Sequence, residues 1–401
     1  MALTKQQLEE ALAMVALHGL EDAAAELGLS KETLRYRHRR ALEEDVSISN
    51  DTTASAVSRE EILENRIVQM QRQLKASKKD TLSLGYVKEN IFKFTEAAPI
   101  VPKWTLKPKN TTHNPGVPTL LATDWHYGEV VNPSEIHNAN EYNLEIADER
   151  IRLLTENTIS LLRSHVVRPN YPGLVLCLGG DIFSGDIHQE LTETNAETML
   201  QLYLRIQGQI QNMINAFVKE FGHVHVVGVA GNHGRTSMRP RAKWRAYTNF
   251  DWLLYKQVER HYRNDKRITF NIPDGPDAFF QIYNHRYCLT HGDQARGGDG
   301  QVGFIGPVRR MMLKKRAYYQ ALGIHFDTML HGHFHSDMFA EDLISGPSLK
   351  GGDEYSAQGN FPYARPAQTL WFTHPSRGLT FRMPVLLEKK TEPAANVEWI
   401  S

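Results

Sequence analysis

The apolar positions along this chain follow two rhythms, and the change between them divides it. Across residues 1–45 they recur at helical spacing, and the segments TKQQLEEALAMVALHGL and EDAAAELGLSKETLRYRHRRALEE predict three short helices. Residues 46–60, VSISNDTTASAVSRE, are rich in Ser and Thr and predict a flexible linker. In the charged stretch that follows, Leu63, Ile67, Met70 and Leu74 keep a 4-3-4 spacing, that of a short amphipathic or coiled-coil helix. From Pro118 apolar strand-like runs alternate with long helical patterns such as NLEIADERIRLLTENTISLLRSHV and AETMLQLYLRIQGQIQNMINAFVKEF, which predicts an α/β domain. The expected boundaries are a helical domain at 1–45, a linker with its helix at 46–85, a connector at 86–117, the α/β domain at 118–385 and a tail at 386–401.

A length of 401 residues, 41% of them hydrophobic, fits two or three domains with a sizeable core. No apolar run reaches the 18 residues of a membrane span, so no membrane partner is expected. Glu9 and Glu10 interrupt the apolar pattern at the N-terminus, which makes that segment an amphipathic helix and not a secretory signal. The two cysteines, Cys177 and Cys288, lie in apolar strand-like runs and read as buried thiols, which fits a reducing, cytoplasmic setting. Formal net charge is zero, so any attraction for a polyanion must come from local patches.

One such patch is in the first domain. Ala24 is small where two helices would cross, Gly28 suits a turn that needs positive φ, Ser30 can cap the next helix and Leu34 can anchor it. That helix then displays Lys31, Thr33, Arg35, Arg37, Arg39 and Arg40. The segment resembles the small helix-turn-helix of bacterial regulators, which implies DNA as a partner and the second helix in the major groove. Its late core position falls on Arg37 or His38 where an aliphatic side chain is expected. The bland alternative is a helical hairpin with a solvated basic face. Pairing through residues 60–75 would join two such units in a homodimer, with a plain spacer helix as the alternative.

The chemistry-bearing residues close five strand-like runs. TLLATDWH carries Asp124 and His126, LVLCLGGD carries Asp181, VHVVGVAGNH carries Asn232 and His233, YCLTHGD carries His291, and DTMLHGHFH carries His331, His333 and His335. Ligand sites in open α/β sheets gather beyond the carboxyl ends of strands, so residues far apart in sequence can meet there. Residues at i and i+2 of an extended segment point the same way, which would let Asp124 and His126, or His333 and His335, grip one ion. Carboxylate, imidazole and amide donors suit Mn, Fe, Zn or Mg and not soft thiolate metals. Seven such donors exceed one tetrahedral site and suit two ions sharing a carboxylate.

In order, these D-x-H, GD, GNH, HG and GHxH motifs resemble those of the calcineurin-like metallophosphoesterases, from Asp124 to His335. The resemblance implies two packed β-sheets flanked by helices and two divalent ions, Mn2+ foremost. It places one ion on Asp124, His126, Asp181 and His335, and the other on Asp181, Asn232, His291 and His333. It gives His233 the protonation of the leaving oxygen, and leaves His331 outside the ligand set. Gly234 and Arg235 follow Asn232-His233 where the family usually has an acidic residue, so the usual orienter of His233 is missing.

The GGDIFSGD and GHxH segments look more like the DNA-repair exonuclease branch than the protein phosphatases, whose GDxxDRG arginine is absent. After His233 come Arg235, Arg239, Arg241 and Lys243, interleaved with Trp244, as candidate phosphate contacts. Arg309, Arg310, Lys314, Lys315 and Arg316 form a second basic segment, and SLKGGDEYSAQGNF reads as a Gly-rich loop that rims the cleft or as a plain surface turn. These features point to a two-metal phosphodiesterase acting as an exonuclease-like DNA nuclease, delivered by the N-terminal domain. Two alternatives are a phosphomonoesterase for a phosphoprotein or nucleotide, and a DNA-binding regulatory or phage accessory protein whose phosphoesterase is secondary.

Overall fold

A computed structural model describes residues 3–44, 100–108, 116–166, 169–296 and 303–388. The linker, the heptad-like helix at 60–75 and nearly all of the tail lie outside the described residues. The chain divides into two compact units, residues 1–94 and 95–401. No helix among the described residues is long and apolar enough to cross a membrane.

In the first unit, α1 (Lys5–Glu26) is capped by Thr4, whose side chain accepts from the Gln7 amide at 3.3 Å. Gly19, at φ 75°, breaks α1 into two helical pieces, so with α2 (Lys31–Glu43) the three-helix pattern is present. Gly28 takes φ 62° in the turn and Ser30 caps α2, accepting from the Thr33 amide at 3.2 Å. Leu34 packs with Ala11, Ala23 and Ala24. The late core position is Ala41, fully buried seven residues after Leu34, and not Arg37 or His38, which are half-buried. Lys31, Thr33, Arg35 and Arg39 are exposed and Arg40 is half-buried. Arg39 and Arg40 pair with Glu43, at 3.7 and 3.9 Å, and Arg40 also with Glu44.

The second unit is a mixed α/β sandwich. A six-stranded sheet has the order β11-β10-β1-β2-β3-β4, and a five-stranded sheet the order β5-β6-β7-β9-β8. Strands β1 (Val117–Ala122), β2 (Leu174–Leu178), β3 (Val224–Gly228) and β4 (Ile268–Asn271) run parallel, with β10 (Ala367–His374) and β11 (Gly378–Leu386) antiparallel on one edge. In the other sheet β6 (His285–Thr290), β7 (Thr328–His331) and β9 (Leu343–Ser345) are parallel, flanked by antiparallel β5 (Asp277–Ile282) and β8 (Met338–Phe339). Every residue of β1, β2 and β3 is buried, because both faces of the sheet are covered, which explains why these runs are apolar except at Thr119 and His225.

Between the sheets lie Val117, Leu121, Val175, Cys177 and Val227 from one and Phe280, Tyr287, Leu289, Leu330 and Ile344 from the other. Cys177 and Cys288 are both free and buried. On the six-stranded side, α4 (Leu144–Ser164) lies against β10 and β11, and α6 (Met199–Phe221) against β3 and against α7 (Phe250–His261). On the other side, α8 (Ile305–Ala321) covers Cys288, Met329 and Leu343 with Val308, Met311 and Met312. Short helices α3 (Lys103–Leu106), α5 (Gln189–Thr194) and α9 (Glu354–Gln358) complete the described set.

Candidate metal centre

The loops that leave β1, β2, β3, β6 and β7 carry every residue singled out for metal binding. Asp124, Asp181, Asn232, His291 and His333 each fall within four residues of the end of their strand. The sandwich therefore brings five loops to one edge.

Local backbone differs from the sequence expectation. The D-x-H and H-x-H pairs are not extended: Asp124, His126, Asp181, His333 and His335 all have left-handed φ, at 54°, 48°, 51°, 69° and 50°. Tight turns, and not strand alternation, aim these side chains. The crowding also explains two glycines. A Cβ at Gly231 would collide with the Asp181 carboxylate, and one at Gly332 with the side chains of Thr123 and Asp124.

Three overlapping groups have ligand atoms within 4.8 Å of one another: Asp124, His126 and His335; His126, Asp181 and His233; Asp181, His291 and His333. Asp181 belongs to two of them, as a shared carboxylate must. The Nε2 atoms of His126 and His335 face each other at 3.0 Å, and His291 Nε2 lies 3.0 Å from Asn232 Oδ1 and 2.9 Å from Asp181 Oδ2. Neighbouring ligands on an octahedral ion with ~2.1 Å bonds are separated by about 3 Å, so the donor set fits a cation by type and by spacing. His335 Nε2 is 3.7 Å from Asp124 Oδ1.

Hydrogen bonds decide which nitrogen of each ring faces inward. His291 Nδ1 is 2.8 Å from the Gly179 carbonyl, which can only accept, so Nε2 points to the centre. His233 Nδ1 likewise donates to the Ser184 carbonyl at 2.6 Å, and its amide donates to Asp181 Oδ1 at 2.7 Å. The missing acidic orienter of His233 is thus replaced by a main-chain carbonyl. His331 is the last residue of β7, fully buried, with Nδ1 at 2.8 Å from the Gly332 carbonyl, and it stands outside the three groups.

Electrostatics mark a site built around positive charge. Burial pushes Asp124 up to about 7, with His291 opposing and Asp181 adding to the rise. Burial also works against Asp181, but the neighbouring His291 and His233 outweigh it and hold this carboxyl well below the usual range. Burial opposes a proton on His291, and Asp181 overrides it, lifting the imidazole to about 10. Burial lowers His333 to about 4 and His335 to about 3, so both rings are neutral donors at ordinary pH.

Several residues that shape the centre carried no motif. Asp251, fully buried in the first turn of α7, accepts from the amides of Asp181 (3.0 Å), Gly231 (2.9 Å) and Ile182 (3.2 Å). Asn249, the cap of the same helix, donates to the Gly231 carbonyl at 2.8 Å. Arg245 grips Asp293, two residues after His291, through two bonds of 2.8 Å. Asn249 and Asp251 read in sequence as an ordinary capped helix start, and only the sheet order turns that start towards the β2 loop.

The basic segments divide. Arg235 turns its guanidinium onto the carbonyls of Asn232 (2.8 Å), Ser237 (2.9 Å) and Met238 (3.1 Å), so it braces the loop. Arg239, Arg241 and Lys243 are exposed, and Trp244 is half-exposed at φ 61°. A small pocket bounded by Asn232, Arg235, Arg241, Arg245 and Asp293 adjoins this arm. In α8, Lys315 is buried and bonds both oxygens of Asp277 at 2.7 Å. Arg309 pairs with Asp342 at 3.1 Å, Arg316 donates to the Asp327 carbonyl at 2.6 Å, and Arg310 and Lys314 stay exposed. The second segment therefore serves packing at Lys315 and Arg316.

No family model matches the sequence, and no curated protein matches it. Solved structures show some likeness, two of them as follows. One is the crystal structure of a dimetal phosphatase from Danio rerio, with TM-score 0.32 and 11% identity, covering 68% of this chain and 100% of that one. The other is a Staphylococcus aureus protein described as a 5'-nucleotidase, with TM-score 0.27 and 12% identity, covering 70% of this chain and 56% of that one.

Proposed function

We propose that this chain is a metal-dependent phosphoesterase with two divalent cations at the loops after β1, β2, β3, β6 and β7. The observation that carries this is the convergence of Asp124, His126, Asp181, Asn232, His291, His333 and His335 at the spacing of ligands around a cation. One ion falls to Asp124, His126, Asp181 and His335, and the other to Asp181, Asn232, His291 and His333. Two such ions supply Lewis acidity and a water nucleophile at neutral pH. Mn2+ suits this mixed nitrogen and oxygen donor set.

His233 has the geometry of a proton donor. Its Nδ1 is committed to Ser184, so Nε2 is the nitrogen left to meet a leaving oxygen. The finer reading is a phosphodiester in DNA, cut in the manner of an exonuclease. It rests on Arg241, which lines a pocket with Asn232, on the exposed Arg239 and Lys243 of the same segment, and on Trp244 for base stacking. Lys31, Thr33, Arg35, Arg37, Arg39 and Arg40 on α2 then serve as the contacts that bring the chain to duplex DNA.

The test is hydrolysis of single-stranded DNA, duplex DNA, RNA and paired chromogenic monoester and diester substrates, with Mn2+, Mg2+, Zn2+ or chelator, and Asp181→Asn alongside. Mn2+-dependent cleavage of DNA and of the diester, lost in the variant, is expected. Hydrolysis of the monoester alone would replace the DNA reading with a phosphomonoesterase. No metal-dependent hydrolysis of any substrate would end the proposal.

A further inference from the structure

Lys350 is a buried cation behind the β1 loop, 2% exposed, in a glycine-rich segment that reads as surface. Its Nζ donates to Glu129 Oε1 at 2.6 Å and to the Asp353 carboxylate. The segment is fastened to the β1 loop, since Ser348 Oγ and the Leu349 amide donate to the Asp124 carbonyl at 2.8 and 3.2 Å. The second oxygen of Glu129, Oε2, lies 3.4 Å from His126 Nδ1, a buried atom with no hydrogen-bond partner among the described residues. The same oxygen receives Ser184 Oγ at 3.5 Å, and the Ser184 carbonyl holds His233.

We propose that Glu129, fixed by Lys350, is a positioning residue for the metal centre. Its carboxylate accepts from His126 Nδ1–H, keeping the ring proton on Nδ1, and so presents Nε2 as a lone pair towards the ion shared with Asp124 and His335. This rests on the metal-centre reading above. A neutral imidazole carries one ring proton, and without an acceptor at Nδ1 that proton could sit on Nε2, where it would block a ligand. A carboxylate on the outer nitrogen of a ligating histidine fixes the tautomer and raises the basicity of the inner one. Lys350 allows Glu129 and Asp353 to stay ionised although buried, because a buried charge needs a partner. Two carboxylates against one ammonium also leave a net negative charge behind His126, which favours a dication in front of it.

Glu129→Gln tests the role with little change of shape. Its amide oxygen is drawn to the Lys350 ammonium, which turns the amide NH2 towards His126 Nδ1 and drives the proton onto Nε2. Titration of the full chain with Mn2+ by calorimetry should give two ions in the wild type. In Glu129→Gln and Glu129→Met one ion should bind 10- to 100-fold more weakly, while the other, away from His126, keeps its affinity. A second measurement takes its signal from the wild-type chain: the ring nitrogens of His126 under chelator, assigned by their loss in His126→Gln, should show a protonated Nδ1 and a bare Nε2. Unchanged binding of both ions in both variants, or the opposite tautomer, overturns the positioning role alone. A wild-type chain that takes up no Mn2+ overturns the metal centre and this role with it.

Discussion

Asp251 offers a sharp test of how the shared carboxylate is held. At pH 8 its ionised side chain carries three backbone amides: Oδ2 accepts from Asp181 and Gly231, and Oδ1 from Ile182. In Asp251→Asn the side-chain oxygen keeps the first pair, and Nδ2 then faces the Ile182 N–H, donor against donor, at 3.2 Å in the present geometry. Stranding that buried donor costs roughly 2–3 kcal/mol, and making the other two bonds neutral costs about 1 kcal/mol more. Removing a buried charge beside Asp181 returns about 1 kcal/mol. The net expectation is a loss of about 2–3 kcal/mol, read as a lower urea midpoint in chelator. Because two of the three amides flank the Asp181 side chain, Mn2+ affinity should also fall at least about tenfold, as for other groups that orient ligands. An unfolding free energy within about 0.5 kcal/mol of wild type, together with unchanged Mn2+ affinity, would refute the reasoning.

Three further outcomes are expected. Asp181→Asn should be less stable than wild type in chelator, because the carboxylate it removes is held ionised by His291, which then loses its partner, and it should gain no stability from Mn2+; melting with and without the ion checks both parts. His225, buried on β3 with Nδ1 at 2.8 Å from Thr269 Oγ1, is lowered by burial from 6.5 to about 4. The unfolded chain then binds the extra proton between those values, so the stability from a neutral His225 is complete above pH 6.5 and lost as pH falls to 4. Up to roughly 3 kcal/mol is at stake, and urea unfolding of His225→Gln across that range should show the flatter profile. Trp244→Ala should raise KM for single-stranded DNA about 5- to 100-fold and leave hydrolysis of a small chromogenic diester unchanged; equal effects on both substrates would remove Trp244 from the substrate path.

The strands were legible because β1, β2 and β3 are apolar but for Thr119 and His225, and the donor residues because each follows its strand within a few positions. Turn chemistry at Gly28 and Ser30 was equally plain, since one supplies a positive φ and the other a capping oxygen. What escaped was set by long-range pairing. Lys350 sits in a segment with the composition of a surface loop, and its burial depends on Glu129, 221 positions earlier, meeting it together with Asp353. Asp251 acts 70 residues from Asp181. Ala41 is inconspicuous as a core position because it adds so little apolar surface, although it is fully buried. Lys315 looked like one more cation on a basic helix, and its role follows only from the approach of Asp277 on β5.

The left-handed backbone at five donor residues has a structural cause that does not involve an ion. Such φ values cost of order 1 kcal/mol or more for residues other than glycine, and persist only where the surroundings over-determine them. Here the surroundings are the other loops. The amides of Asp124 and His126 donate to the carbonyls of Gly180 and Asp181 at 3.0 Å, which ties the β1 loop to the β2 loop. Gly332 donates to the His291 carbonyl at 2.9 Å, and His333 to Asp124 Oδ1 at 3.0 Å, which ties the β7 loop to the β6 and β1 loops. The β1 and β7 turns are therefore held by acceptors on neighbouring turns, and the β2 turn by the Asp251 carboxylate. Ligand direction in this chain is set by interlocked main-chain hydrogen bonds, with Asp251 and the Lys350 segment closing the arrangement from behind. Substituting a donor side chain should then remove an ion, whereas substituting a bracing group should move the donors themselves.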